Sequence, residues 1–256
     1  MRLADTPVPA RAGGNADPAG TARAGAAPPG TIPVSTMAAG TVPAGTEPAA
    51  SAAGLAFAAA VAALGAGREA VAEVRDDLDF EDWPAPKRLA PRAFALALTA
   101  YRDGEEAGTG KLVLLHDTAG QEGWTGAFRV VVQVHADVEE EMAADPLLGE
   151  VGWSWLTDAL DLHAPGYGAP SGTVTRVITE GYGAKADEPP ATGFELRASW
   201  CPAEDEIEDE VRGAVLAWSD LLAAAAGLPA QPPGTRALGR RGQDGRGAGA
   251  GSRRRR

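Results

Sequence analysis

The stretch Arg92-Ala-Phe-Ala-Leu-Ala-Leu-Thr-Ala-Tyr-Arg102 alternates with a period of two. In an extended chain Phe94, Leu96 and Leu98 share one face and Ala93, Ala95 and Ala97 the other, which predicts a strand. Its small-residue face is the one expected to lie under a helix. Lys111 to Leu115 reads as a second strand. Thr125 to His135 reads as a third, with Phe128, Val130, Val132 and Val134 against Arg129, Val131, Gln133 and His135. His116 to Trp124 contains Gly120 and Gly123 and reads as the hairpin loop between them. The three strands form an antiparallel meander.

Working outward, Leu55 to Leu64 places Phe57, Val61 and Leu64 at helical spacing and is followed by Gly65 and Gly67. Ala70 to Val74 is a candidate extra strand, and an acidic loop with Trp83, Pro84 and Pro86 comes next. Beyond the meander, Glu139 to Ala144 suggests a helical turn. Asp145 and Pro146 open a helix with the stripe Leu148, Gly152, Trp155, Ala159 and Leu162, which Gly166 and Gly168 end. Thr173 to Thr179 and Thr192 to Trp200 read as strands. A last helix spans Ile207 to Ala226, with Val211, Val215, Trp218, Leu222 and Ala225 inward and an acidic start that suits the helix dipole. The order α-βββ-α-ββ-α predicts an α+β two-layer sandwich, an antiparallel sheet of about five strands with helices on one face.

Composition divides the 256 residues into three parts. Residues 1–50 are mostly Ala, Gly, Pro, Thr and Val without apolar periodicity, and residues 228–256 are Gly- and Arg-rich; both are expected to be disordered tails. Residues 51–227 have the length of a single domain and hold 12 Lys and Arg against 31 Asp and Glu, a net charge of −19. Such a surface repels nucleic acid and anionic lipid and favours solubility and a basic partner. The tail from residue 228 carries eight Arg against one Asp, +7. One cysteine, Cys201, rules out an intrachain disulfide and fits a cytoplasmic location. Met1 to Asp5 lacks the apolar run expected of a secretory signal, and Ser51 to Gly67 reads as a core helix rather than a membrane span. Met37 offers a second start, which would make residues 1–36 an upstream extension.

Reactive residue types are present without an obvious centre. His116 and His135 each have a nearby carboxylate, yet hairpin geometry sets them roughly 30 Å apart. His163 closes a helix, and Cys201 before Pro202 has no histidine close in sequence. No metal site, cofactor or catalytic set is therefore expected. Pro170-Ser171-Gly172-Thr173, with Arg176 on the same strand and His116 elsewhere, is a candidate site for a small anionic ligand. Trp153 and Trp155 stand about 200° apart on a helix, which leaves one exposed or set against a partner or a second sheet edge; Trp153 and Trp124 are the candidate partner-binding residues. Arg253, Arg254, Arg255 and Arg256 are candidate phosphate contacts of the basic tail.

Lys111-Leu-Val-Leu-Leu-His116-Asp117, Met142-Ala-Ala-Asp-Pro146-Leu-Leu, Trp153-Ser-Trp155-Leu, Pro170-Ser-Gly-Thr-Val-Thr-Arg176 and Arg197-Ala-Ser-Trp200 together resemble an actinobacterial family, domain-of-unknown-function family three thousand. The resemblance covers residues 55–229. It implies a bacterial cytoplasmic protein and carries no activity. At fold level the element order is similar to the type III secretion chaperone-like fold, whose members are often acidic, dimeric and non-enzymatic. The leading expectation is thus a non-enzymatic acidic binding or chaperone-like adaptor with a protein partner or a second copy. A nucleic-acid accessory protein using the basic tail, and an enzyme or binder of a small anion near Ser171–Arg176, are the alternatives.

Overall fold

The computed structural model of this chain describes residues 51–231. In chain order the elements are α1 (Ala52–Ala72), β1 (Leu78–Trp83), β2 (Arg92–Arg102), β3 (Glu105–His116), β4 (Phe128–Asp137), α2 (Glu140–Ala144), α3 (Leu148–His163), β5 (Gly168–Thr179), β6 (Ala191–Cys201) and α4 (Ile207–Ala225). The six strands form one antiparallel sheet in the order β1-β2-β3-β4-β6-β5. Asp103 and Gly104 both take positive φ, 55° and 87°, which closes the two-residue turn between β2 and β3 with the twist a hairpin needs.

Period-two patterning decides which face is covered. Phe80, Leu98, Leu112, Leu114, Val130, Val132, Val134, Phe194, Leu196 and Trp200 share one face and are buried. All helices pack there. α4 lies centrally, with Val211, Val215, Trp218, Leu222 and Ala225 buried against the sheet and the neighbouring helices. Trp218 meets the Phe80 ring edge-on at 6.1 Å and fills the space that Gly110 leaves, where a Cβ would stand 2.8 Å from Nε1. Each such large apolar side chain contributes about 1.5–3 kcal/mol of burial.

α1 runs along α4 because its glycines permit close approach: a Cβ at Gly67 would meet the Val215 Cβ at 2.8 Å. Ser51 caps it, accepting from the Gly54 N–H at 3.1 Å. By length and apolarity α1 meets the measure of a bilayer span, and it packs in the domain through Ala60, Ala63, Leu64 and Val71. α3 crosses the sheet at Gly152, where a Cβ would come within 2.6 Å of the Phe194 ring.

Several sequence expectations shift. The sheet has six strands, not five: Leu78–Trp83, expected in a loop, is β1, and Ala70–Val74 ends α1 rather than forming a strand. The helix does not stop at Gly65 and Gly67: the close contact of Gly67 with α4 carries it on despite the low propensity of both glycines. The leucine and phenylalanine face of β2, not its alanine face, lies under the helices. On α3 the inward stripe is Leu148, Gly152, Leu156, Ala159 and Leu160, while Leu162 is 72% exposed. Past α4, Leu228 packs on the core and the Pro229 carbonyl accepts from Arg75 Nη1 at 3.4 Å. Residues 1–50, and residues 232–256 of the tail expected from residue 228, Arg253 to Arg256 among them, lie outside the described residues.

Candidate binding surface

With every helix on one side, the second face of the sheet carries no secondary structure among the described residues. Its side chains are the odd-numbered set of β4: Arg129, Val131, Gln133 and His135, running from buried through half-buried to exposed. Strand register aligns Trp83, Ala95, Val113, Val131, Ser199 and Ser171 in one row across the sheet. The next row reads Glu81, Ala97, Lys111, Gln133, Arg197 and Thr173. Ala97, Val113 and Val131 are half-buried, and Trp83 is 44% exposed with the Lys111 ammonium 4.4 Å above its ring. Gln133 Nε2 and Arg197 Nε both donate to Glu195 Oε1 at 2.6 Å. The face is therefore an apolar band bordered by pinned polar groups.

One end of this face is closed by the loops before β2 and β4. Gln121 Nε2 donates to the Leu89 carbonyl at 2.9 Å and to Asp117 Oδ2 at 3.1 Å, tying the two loops together. Beneath them Ala95, Leu115, Arg129, Ser199 and Cys201 are buried. Arg129 Nη1 donates to the Gly123 carbonyl at 3.0 Å and to Cys201 Sγ at 3.3 Å; Nη2 donates to Ser199 Oγ at 2.8 Å and Ser171 Oγ at 3.2 Å. None of these acceptors is a carboxylate. Burial pushes the Cys201 thiol up, but the Thr125 backbone and side chain together with the Arg129 guanidinium outweigh it and hold the thiol below its ordinary value. A register shift between Gly168 and Ser171, with Ala169 at φ 49°, aims Ser171 into this cluster.

The residues singled out for a small anion divide between the two faces. Ser171 and Thr173 lie on the helix-free face. Arg176 lies on the other and donates to the Ala143 and Asp145 carbonyls at 3.4 and 2.6 Å. His116 is 2% exposed, three strands from β5 on the helix side, its ring 4.3 Å from Phe128 and 5.8 Å from Phe57. Ser171 thus meets Arg129, not Arg176 or His116. Trp153 is half-buried against Gly172 of β5, where a Cβ would lie 2.6 Å from its ring, and Trp155 packs 5.8 Å from Phe194; neither is free. Trp124 is half-buried, its backbone amide donating to the Gln121 carbonyl at 3.0 Å. His135 stands 4.0 Å from Asp137, and His163 bonds Asp220 at 2.8 Å. Among the described residues no group of three or more His, Cys, Asp or Glu is placed to hold a metal.

Sequence reasoning missed Arg129. Its signal was a single basic residue at the start of an otherwise valine-rich strand, at a position whose strand-mates are apolar.

A family model described as a protein of unknown function, DUF3000, matches residues 53–235. The chain belongs to the DUF3000 family. The matched span runs from the second residue of α1 to beyond the end of α4. No curated protein matches the chain, and no solved structure does. The description attaches no activity to DUF3000.

Proposed function

We propose that this chain is a non-enzymatic, acidic protein-binding adaptor of chaperone-like character, working in the cytoplasm through the helix-free face of its sheet. The observation that carries the reading is the asymmetry of the two layers. An antiparallel sheet with one solvated face ordinarily alternates apolar-in with polar-out. Here the outward set includes Ala97, Val113 and Val131, with Trp83 beside them. An apolar band rimmed by polar residues is the composition of a protein contact surface.

Two further features weigh against catalysis. Ser171 and Thr173 are divided by the sheet from Arg176 and His116. The one arginine that Ser171 does meet, Arg129, already gives four N–H bonds to the protein's own oxygens and sulfur. An incoming anion would have to displace them.

The domain's −19 charge favours a partner with an apolar centre and a basic rim, and opposes phosphate-rich ligands. Nucleic-acid contact through Arg253–Arg256 would depend on the tail alone and would weaken steeply with salt.

The test is affinity capture from the native lysate by the full chain and by Val131→Glu, with thermal melts confirming that both fold. A stoichiometric protein retained by the wild type and lost by Val131→Glu supports the reading. Equal capture by both, or no stoichiometric protein under gentle conditions, overturns it.

A further inference from the structure

The two edges of the sheet are built differently. β1 is six residues long, carries Asp79, Glu81 and Asp82, and is followed by Pro84. Arg68 Nη2 takes its Phe80 carbonyl at 3.2 Å, and Arg68 Nη1 lies 3.4 Å from Asp82. Short length, charge and proline are the devices that keep an edge strand from pairing further.

β5 is neither short nor interrupted by proline over Ser171–Thr179, and it carries one charge there. Ten of its twelve residues are exposed, and its outer edge pairs with no strand among the described residues. Thr173, Val174, Thr175, Val177, Ile178 and Thr179 are β-branched, the residue type that fits an extended chain best. Val177 and Ile178, on opposite faces, are 41% and 52% exposed. The strand's single charge, Arg176, is held by the carbonyls of Ala143 and Asp145.

We infer that β5 is a dimerisation edge, on which Ser171–Thr179 of one copy pairs antiparallel with the same segment of a second copy to join two six-stranded sheets into one. The occupant is a second copy for two reasons. An antiparallel strand edge is complementary to itself under a two-fold axis, as an isologous interface requires. In addition, two copies of a −19 domain repel over most of their surface, and Gly168–Thr179 contains no acidic residue at all. With the axis at Thr175, Val177 falls opposite Thr173 and Ile178 opposite Gly172. Each exposed apolar side chain then faces a smaller one, and the two Arg176 do not oppose each other. Val177 shares the helix-free face, but the edge lies apart from the Ala97, Val113 and Val131 band proposed for the partner, with β6 between β5 and β4.

Light scattering of the full chain, with Thr175→Cys and Val177→Lys, tests the inference. Directly opposed residues in antiparallel strands sit about 4.5–5.5 Å apart, within disulfide reach, so Thr175→Cys is expected to form a covalent dimer under mild oxidation. Val177→Lys is expected to raise the dimer dissociation constant at least about tenfold. A monomeric wild type at about 100 μM overturns the inference. So does a dimer that ignores Val177→Lys and yields no Thr175→Cys cross-link, because its interface then lies elsewhere. A different protein occupying the edge in place of a second copy overturns it as well. Val131→Glu leaves this dimer intact and Val177→Lys leaves partner capture intact, so failure of one proposal is distinct from failure of the other.

Discussion

Arg129 Nη1 donates to Cys201 Sγ at 3.3 Å across the β4–β6 pair, and both residues are buried. A buried guanidinium whose bonds go to two hydroxyls, a carbonyl and a sulfur gains most when that sulfur is a thiolate.

The pairing has a pH signature. Because folding lowers the Cys201 pKa, the thiolate contributes stability that is complete above the unfolded thiol value and is lost as pH falls through the folded one. Thermal melts across the neutral to mildly alkaline range are expected to show wild type gaining on Cys201→Ala as pH rises. Arg129→Met should weaken that dependence without abolishing it, because the Thr125 bonds to Cys201 remain. A wild-type minus Cys201→Ala difference that stays flat with pH contradicts a lowered thiol.

Glu210 behaves in the opposite sense. It is 3% exposed on the first turn of α4, and only its Oε1 has a partner, the Gly166 N–H at 2.9 Å. Burial raises its carboxyl pKa against the lowering effect of that bond, and Glu206, Asp205 and Asp209 raise it further. Its protonated form therefore fits the fold better. The stability it contributes is complete below the unfolded carboxyl value and lost as pH rises through the folded one. Glu210→Gln is expected to be more stable than wild type at neutral pH, with the gain disappearing in acid. A variant less stable than wild type at neutral pH would contradict this.

Two glycines two residues apart on α1 should respond with opposite sign. A Cβ at Gly65 meets nothing within 4 Å, so Gly65→Ala is expected to stabilise by about 0.5–1 kcal/mol through helix propensity. At Gly67 a Cβ would stand 2.8 Å from Val215 Cβ and 2.9 Å from the Arg212 carbonyl, so Gly67→Ala should cost about 1–3 kcal/mol. Denaturant unfolding of the two variants checks both signs.

Ala169 holds φ 49° at the irregularity that turns Ser171 toward Arg129. An L-residue with a Cβ is strained there by roughly 1–2 kcal/mol, so Ala169→Gly is expected to hold stability level or improve it, and Ala169→Val to lower it. The same unfolding measurement separates the two.

Strands with strict alternation were legible in the sequence. Arg92–Arg102 and Thr125–His135 announce β2 and β4 because one of their faces is uniformly large and apolar. β1 was not legible, since Asp79, Glu81 and Asp82 beside two prolines look like a loop when the pairing with β2 is unseen. Gly65 and Gly67 mimic a helix end, and the contact between Gly67 and Val215 that favours continuing the helix is not local in sequence. The site was less readable still. Ser171 and Arg176 lie five residues apart on one strand, an odd separation that sends their side chains to opposite faces. Arg129 and Ser171 are 42 residues apart and meet only through β6, which no local pattern records.

Site-specific photocross-linking in native lysate tests the central claim most directly, with the probe at Val113 on the helix-free face and, as a control, at Leu162 on the outer side of α3. Both positions are open to probe attachment, Val113 half-exposed and Leu162 72% exposed. A discrete protein adduct from Val113 and none from Leu162 is the expected result. The reverse pattern, or no adduct from Val113, would contradict an adaptor that binds through its uncovered sheet.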